Sequence, residues 1–333
     1  MFIAITVRAF RIRTFLRSRR AAAALLAGAA LCLAGPPAAL AAKSAGRQAA
    51  KPLQVVATFS ILGDMVREIG GEHVVVKTIV GPGADAHSFE PTPRDIQALA
   101  KAQVLVLNGL DFETWLPRLV QSSGFKGAQV MASKGVTVRH LEDDEAHDGE
   151  AGHGHHESDV DPHAWQSLSN GMIYAQNIAD GLTQAAPAHG SYFKNRAKLY
   201  IEQMKKLDAE IKQAFADIPQ EKRRVITSHD AFGYFEQAYG IHFISVSGLS
   251  NDAEPSARDV AAIIDRAKKE KVAGVFVEQG LNPKMVSQIA RETGAKVGGA
   301  LYSDTLAKSD QPASTYLGMF SWNAGQLIYV LKD

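Results

Sequence analysis

The sequence has 333 residues, with 36 basic and 35 acidic side chains and a formal net charge of +1. This balance does not suggest the strongly basic stripe that is typical of nucleic-acid-binding proteins, so we expect no nucleic-acid partner. The single cysteine, Cys32, excludes an internal disulfide and a structural zinc site built from thiolates.

Residues 1–41 have the pattern of a secretory signal peptide. Arginines come first, an apolar run at 21–34 follows, and an A-x-A cleavage site ends at Ala41. The apolar run is too short to span a bilayer comfortably. Cleavage would remove Cys32 and six arginines, which leaves 30 basic and 35 acidic residues and a net charge of −5. We therefore expect a soluble periplasmic protein with a flexible mature N-terminus at 42–52.

Short β-branched runs alternate with helical patterns along the rest of the chain. The predicted strands are Gln54–Thr58, Val74–Val80, Val104–Leu107, Gln129–Met131, Arg224–Thr227, His242–Val246, Gly274–Val277 and Lys296–Ala300. The predicted helices are Ile61–Ile69, Pro93–Ala100, Ser256–Glu270 and Pro283–Glu292, with Thr92 as the N-cap of the second. This alternation predicts an α/β fold in two lobes, each a roughly four-stranded parallel sheet flanked by helices.

One long helix is predicted between the lobes, over residues 187–218. Its apolar residues recur at steps of three and four, Pro187 lies at its start, and Pro219 follows its end. The N-terminal lobe is then 53–186 and the C-terminal lobe is 219–333. A helix of this length would resist large hinge motion between the lobes.

Residues 140–161 form an acidic, histidine-rich stretch that is nearly free of apolar side chains after Leu141. Such a composition favours a disordered surface loop. A short histidine-rich tract is typical of metal binding. Because ordering a flexible loop costs conformational entropy, we expect only weak, accessory binding there. The histidines concerned are His147, His153, His155 and His156.

Four other donors lie just after predicted strands or where the loop meets a helix: His87, His163, His229 and Asp304. Ligands of open α/β sheets bind outside the carboxyl ends of the strands, so these side chains could share one cleft. Any one of them alone could equally be a loop residue or a cap. Glu278 and Asp230 are candidate acids behind the histidines, although a cap or surface role is an equal alternative.

Six stretches then resemble one family, and they are VVATFSILGDMVREIGG, VGPGADAHSFEPTPRDIQAL, DPHAW, SHDAFGYFEQAYG, LSNDAEPSARDVAAII and GALYSDTL. The chain resembles the zinc/manganese ABC-transporter solute-binding proteins, the ZnuA/TroA/PsaA-like group, from about Leu53 to the C-terminus. The resemblance implies one divalent metal ion between two lobes, delivered to a membrane permease by a protein that is not an enzyme. It also implies that His87, His163, His229 and Asp304 are the ligands. We expect a monomer.

The identity of the metal stays open between zinc and manganese. Three imidazoles and one carboxylate suit four-coordinate zinc, whereas manganese prefers more oxygen ligands. The resemblance also favours zinc, because manganese-type members often have Glu where this chain has His229. Two other functions remain as alternatives: a zinc-dependent periplasmic hydrolase, and a protein that delivers metal to another periplasmic partner or acts in adhesion.

Overall fold

The computed structural model describes residues 51–140, 160–248, 256–278 and 284–332. Within them, eight strands form two parallel sheets of four. The first sheet, in the order β2-β1-β3-β4, contains β1 (Leu53–Phe59), β2 (Val74–Val80), β3 (Val104–Leu107) and β4 (Ala128–Met131). The second, in the order β6-β5-β7-β8, contains β5 (Arg224–Thr227), β6 (His242–Ser245), β7 (Gly274–Val275) and β8 (Lys296–Val297). The second sheet thus repeats the strand order of the first.

Nine α-helices lie within the same described residues. Those that follow the strands of the first sheet are α1 (Ser60–Gly70), α2 (Pro93–Ala100), α3 (Leu116–Ser123) and α4 (Leu168–Ala185). The long helix is α5 (Gly190–Ala216), and the helices of the second half are α6 (Gly233–Tyr239), α7 (Ala257–Glu270), α8 (Lys284–Thr293) and α9 (Tyr316–Lys332). We call the first sheet with α1 to α4 the first lobe, and the second sheet with α6 to α8 the second lobe. The predicted two-lobed α/β fold is confirmed.

Helix α5 joins the two lobes, as predicted. Its 27 residues would span about 40 Å at 1.5 Å per residue. The side chains that it buries recur every three or four residues, and they include Phe193, Tyr200, Met204, Ile211 and Phe215. It packs against α4, α1 and α9, so it is supported along its length. Among the described residues, no helix combines the length and apolar character needed to cross a membrane.

Two hydrophobic clusters form the core. The larger one includes Phe59 at the end of β1, Phe215 of α5 and Phe320 of α9, so it extends from the first lobe through the connecting helices. The smaller one includes Ile226 of β5 and Ile264 of α7, and it lies inside the second lobe. Because the larger cluster passes through the helices between the lobes, the carboxyl ends of both sheets are held by a common apolar framework.

Strands β7 and β8 are shorter than the sequence predicts. Beyond them, the two segments are joined by a hydrogen bond from Gly298 N–H to Val275 O and by an isolated parallel bridge between Glu278 and Leu301. Gly298 lies where an added Cβ would overlap the ring of Phe276, so the ring covers the backbone at this point. The interrupted ladder leaves Glu278 at the carboxyl end of the second sheet, where its side chain can act in the site.

Candidate metal centre

His87 lies in the loop that connects β2 to α2. Its backbone N–H donates to Asp85 Oδ1 at 2.8 Å, an Asx turn that fixes the backbone two residues after the aspartate. The other oxygen of Asp85 accepts a hydrogen bond from Ser88 at 2.9 Å. The loop ends at the predicted cap, where the Asp95 carboxylate accepts from both the N–H (3.0 Å) and the O–H (2.7 Å) of Thr92. These short-range bonds hold the imidazole at the carboxyl edge of the first sheet.

His163 is held by the same local device and by one further contact. Asp161 Oδ1 accepts the backbone N–H of His163 at 3.0 Å and lies 2.8 Å from its Nδ1 atom. The intervening carbonyl, that of Pro162, accepts from Asn108 Nδ2 at 3.0 Å, and Asn108 is itself bound by Tyr174. With Nδ1 facing a carboxylate, the ring is oriented so that Nε2 points to the centre.

His229 follows the central strand β5, and Glu278 follows its neighbour β7. The side chains meet because the two strands are hydrogen-bonded neighbours that end at the same edge. Glu278 Oε2 lies 2.7 Å from His229 Nδ1, and Oε1 accepts the backbone N–H groups of Ser228 and His229, each at 2.9 Å. The carboxylate therefore sets both the ring and the backbone of His229.

Asp304 lies where the chain passes from the second lobe to the first. Just before it, Tyr302 bonds through its backbone to the side chain of Asn323 in α9. Immediately before it, Ser303 O accepts from the Trp165 indole at 2.8 Å, and two residues after it, Leu306 N–H donates to Ser60 Oγ at 2.9 Å. Asp304 is therefore anchored to the first lobe, although it follows a strand of the second.

These four side chains converge on one point. One ligand atom from each lies within 4.8 Å of all the others. The Nε2 atoms of His87 and His163 are 3.3 Å apart, and Asp304 Oδ2 lies 3.4 Å from His87 Nε2 and 3.0 Å from His229 Nε2. His163 and His229 are fully buried, whereas the side chains of His87 and Asp304 are each 11% exposed. The more open side of the centre is therefore formed by His87 and Asp304.

Aromatic rings close the other side. The ring of Phe112 meets that of His87 edge-on at 4.8 Å, and Trp165 packs against both Phe112 (4.7 Å) and His163 (5.3 Å). Phe112 and Trp165 are both fully buried. Because apolar walls exclude water, electrostatic interactions within the centre are stronger than they would be in solvent.

The charges in the centre are strongly coupled. Burial by itself lowers the pKa of His229, but the carboxylates of Glu278 and Asp304 outweigh it and raise this pKa well above the ordinary value. Burial raises the pKa of Asp304, but His229 and His163 outweigh it and hold this pKa well below the ordinary value. Within the described part of the chain, Asp304 Oδ1 is buried and has no hydrogen-bond partner. The arrangement offers a carboxylate and three imidazoles to a cation.

The structure corrects the placement of Asp161 in a surface loop, and it separates Glu278 from Asp230 as partners of the candidate ligands. The sequence places Asp161 in the loop 140–161, but its carboxylate is completely buried between His163 and Arg139. His140 and Val160 form an antiparallel bridge, so the ends of that stretch are ordered. Glu278 contacts a candidate ligand, whereas no hydrogen bond or ion pair of the described residues joins the Asp230 side chain to one. Burial, with repulsion from Asp161, raises the pKa of Asp230.

A repeated spacing could have identified Asp161. The pattern Asp-x-His occurs at Asp85-Ala86-His87 and again at Asp161-Pro162-His163, and each aspartate accepts the backbone N–H of its histidine. Surrounding acids conceal the second instance in the sequence. The accessory histidines His147, His153, His155 and His156, and the signal segment, lie outside the described residues.

The remaining histidines of the described residues lie elsewhere. His73 stacks on His189 with ring centroids 3.9 Å apart, beside the start of α5. His242 pairs with Glu236 at 2.9 Å, at the opposite end of the second sheet from the centre. His140 lies in the bridge to Val160. None of them belongs to the cluster of four.

Comparison with known proteins assigns the chain to a family. The family model for ZnuA, described as the periplasmic component A of the zinc-uptake complex, matches residues 55–329. The chain belongs to this family. The resemblance inferred from the sequence motifs is thus confirmed. ZnuA-family members are substrate-binding proteins of metal ABC transporters and not enzymes, which removes the hydrolase alternative.

Relatives of the ZnuA family carry the names of different metals. The chain is 32% identical over 272 residues to the iron-binding protein YfeA of Yersinia pestis, which covers 82% of this chain and 84% of YfeA. It is 30% identical over 306 residues to PsaA of Streptococcus pneumoniae, a manganese ABC transporter substrate-binding lipoprotein, which covers 90% and 93%. The names of the relatives therefore leave the metal undetermined.

Solved structures of the ZnuA family share the fold. The periplasmic zinc-binding protein TroA of Treponema pallidum has a TM-score of 0.75 at 28% identity, covering 84% of this chain and 99% of TroA. The manganese-bound periplasmic metal-binding protein of Candidatus Liberibacter asiaticus has a TM-score of 0.73 at 28% identity, covering 84% and 100%. Both are periplasmic metal-binding proteins.

Proposed function

We propose that this chain captures one zinc ion between His87, His163, His229 and Asp304 and delivers it to an ABC permease for uptake. The observation that carries the proposal is the convergence of four ligand atoms within 4.8 Å in a largely buried cleft. The ion is the cargo, and the chain's task is to bind it tightly and release it at the membrane. The family supports this role, because its members supply metal to such permeases.

The spacing of the donors supports zinc. A tetrahedral ion with bonds of about 2.0–2.1 Å requires ligand atoms about 3.4 Å apart. With Asp304 Oδ2 as the oxygen donor, three of the separations are 3.0, 3.3 and 3.4 Å, and one donor atom from each of the four residues lies within 4.8 Å of all the others. Three nitrogens and one oxygen are the donor set expected of zinc when no thiolate is present. Manganese, which prefers more oxygens, would need further ligands in a space bounded by Phe112 and Trp165.

Manganese is the second candidate. It is favoured by the names of relatives such as PsaA and by the manganese-bound Liberibacter structure. A site of imidazoles and one carboxylate would also bind several first-row ions in vitro, in the Irving–Williams order. Affinity alone therefore does not identify the cargo, and the metal acquired in the cell has to be measured.

The decisive experiment compares metals on the purified protein. We expect one equivalent of zinc to bind at least tenfold more tightly than manganese in chelator competition, since tetrahedral nitrogen-rich sites favour zinc. His229→Ala should lose this stoichiometric binding, and His242→Ala should keep it. Elemental analysis of protein isolated from its native periplasm should find zinc. Manganese in that sample would support the second candidate, and tight binding by His229→Ala would contradict the site itself.

We further propose that the chain acts as a monomer in the periplasm after removal of residues 1–41, with no nucleic-acid partner. The histidine-rich stretch is proposed as a weak accessory site. Deletion of residues 142–158 should therefore remove only the weaker equivalents of bound zinc in a titration. Loss of the tight equivalent on that deletion would show instead that the stretch holds the principal site.

A further inference from the structure

Arg139 lies behind one of the candidate ligands, in a row of three side chains. Its Nη1 atom donates to Asp161 Oδ2 at 2.9 Å, and the other oxygen, Oδ1, lies 2.8 Å from His163 Nδ1. Asp161 and His163 are completely buried, and the side chain of Arg139 is only 16% exposed. One oxygen of the carboxylate is thus held by Arg139 and the other by the backbone and ring of His163, so the guanidinium fixes the plane in which the carboxylate meets the imidazole.

Arg139 also contacts the second lobe. Its backbone N–H donates to Tyr234 Oη at 2.8 Å, and that hydroxyl donates to the carbonyl of Asp161 at 3.2 Å. The guanidinium lies against Gly233, where an added Cβ would overlap it. Gly233 begins α6, four residues after His229. Arg139 therefore connects the segment that carries His163 with the segment that carries His229.

The carboxylates that contact His229 and His163, those of Glu278 and Asp161, differ in whether they have a cationic partner. Glu278 accepts hydrogen bonds from two backbone N–H groups and lies 2.7 Å from His229 Nδ1. Among the ion pairs of the described residues, none joins Glu278 to a lysine or an arginine. Asp161 has Arg139 as a full cationic partner. A carboxylate shared with a guanidinium polarises its imidazole less than an unshared one does, but it is held in a more rigid geometry.

We propose that Arg139 is a positioning residue of the metal centre: through Asp161 it fixes the ring and tautomer of His163, and through Gly233 and Tyr234 it fixes the distance from His163 to His229. This inference rests on the proposed metal-binding function. It assigns to Arg139 no contact with the ion. Arg139 affects the affinity for the ion only through Asp161 and through its contact with Gly233 and Tyr234 of the second lobe.

A double-mutant cycle tests this route. Arg139→Gln should weaken zinc binding by roughly tenfold in chelator competition, the range found for partners of ligating histidines. Asp161→Asn should weaken it by at least as much, and Arg139→Gln should cost less in the Asp161→Asn background than in the wild type, because only the contact with Gly233 is then left to lose. Arg139→Lys should recover part of the loss. Arg196→Gln, which breaks a half-exposed ion pair with Glu68 on α1, should leave affinity unchanged.

Gly233→Ala provides a second variant that keeps every polar group. Alanine suits a helix start, so the fold should persist while the added methyl displaces the guanidinium. We expect weaker zinc binding and an altered visible spectrum of the cobalt-substituted protein, with neither change in the Arg139→Gln background. Additive losses with Asp161→Asn, or unchanged affinity of Arg139→Gln, would overturn the inference. Absence of stoichiometric zinc binding by the wild type would instead overturn the proposed function.

Discussion

His229 Nδ1 lies 2.7 Å from Glu278 Oε2, and each side chain is only 1% exposed. The contact places a full negative charge behind a candidate metal ligand in a site with little water. It makes the imidazole a stronger donor, and it fixes the tautomer in which Nε2 faces the centre.

Replacement of Glu278 by Gln should weaken zinc binding by about 10- to 100-fold, because the imidazole loses the charge that strengthens and orients it. Competition with a chelator of known affinity measures the change. Glu236→Gln is the matched control, since Glu236 lies 2.9 Å from His242 Nδ1 in a partly exposed pair outside the centre. Equal affinities of wild type and Glu278→Gln would count against the assigned role.

The affinity for zinc should keep rising with pH above 6.5. Burial disfavours the charged form of His229, yet Glu278 and Asp304 raise its pKa well above the ordinary value, so the metal-free protein keeps a proton there at neutral pH. Binding must expel that proton, and affinity is therefore lost as pH falls through the raised pKa. Titration calorimetry in buffers of different ionisation enthalpy should detect proton release at pH 7.5. No release at that pH would contradict the prediction.

Ser60→Ala should loosen the segment that holds Asp304. The change leaves the buried Leu306 N–H without its acceptor, which costs roughly 1–3 kcal/mol of unfolding free energy. We expect weaker zinc binding as well, because Thr305, next to Asp304, bonds to Gly83 in the His87 loop and approaches Ser60. Denaturation and zinc titration measure the two effects. Ser321→Ala, which removes an exposed hydroxyl of α9, should change neither.

Asp64→Asn should make the stability of the protein less dependent on pH. Burial raises the pKa of Asp64 to about 6, partly offset by the Tyr316 N–H, which donates to its carboxylate at 2.8 Å. Because the folded pKa is above the ordinary 3.8, the contribution of Asp64 to stability is fully present below pH 3.8 and is lost as pH rises through about 6. The loss would be up to about 3 kcal/mol.

Asparagine can still accept the Tyr316 N–H and carries no charge. Urea denaturation at several pH values between 4 and 7.5 should therefore show a flatter profile for Asp64→Asn and equal or greater stability at pH 7.5. A variant that follows the wild-type profile at every pH would show that Asp64 titrates normally.

Much of the centre could be predicted from the sequence, because a physical rule links strand ends to ligands. His87 lies in the loop after β2 and His229 lies two residues after β5, and parallel strands bring their carboxyl ends to one edge. Asp161 could not be separated from its acidic neighbours by composition, since burial depends on the fold and not on the local sequence. Arg139 precedes that stretch and gives no local signal, because its partners Asp161 and Tyr234 are distant in sequence.

The secondary structure is also predicted well where the local sequence decides it and poorly where tertiary packing does. Strands β1 to β6 lie close to their predicted positions, since β-branched runs mark buried parallel strands. Helix α9 is absent from the predicted elements although its buried residues recur every three or four positions. Gly318, Gly325 and several aromatic residues lower its intrinsic helix preference, and packing against α5 and α1 compensates for this.

The chain passes from the second lobe to the first at Tyr302 and Ser303, just before Asp304. The four donors are therefore divided unequally between the two lobes. The residues on either side of Asp304 are bonded to the first lobe, which also carries His87 and His163, whereas His229 follows a strand of the second sheet. A small shift of the second sheet would therefore lengthen the contact of an ion with His229 and leave its other three contacts in place. An ion held there would then be released one contact at a time.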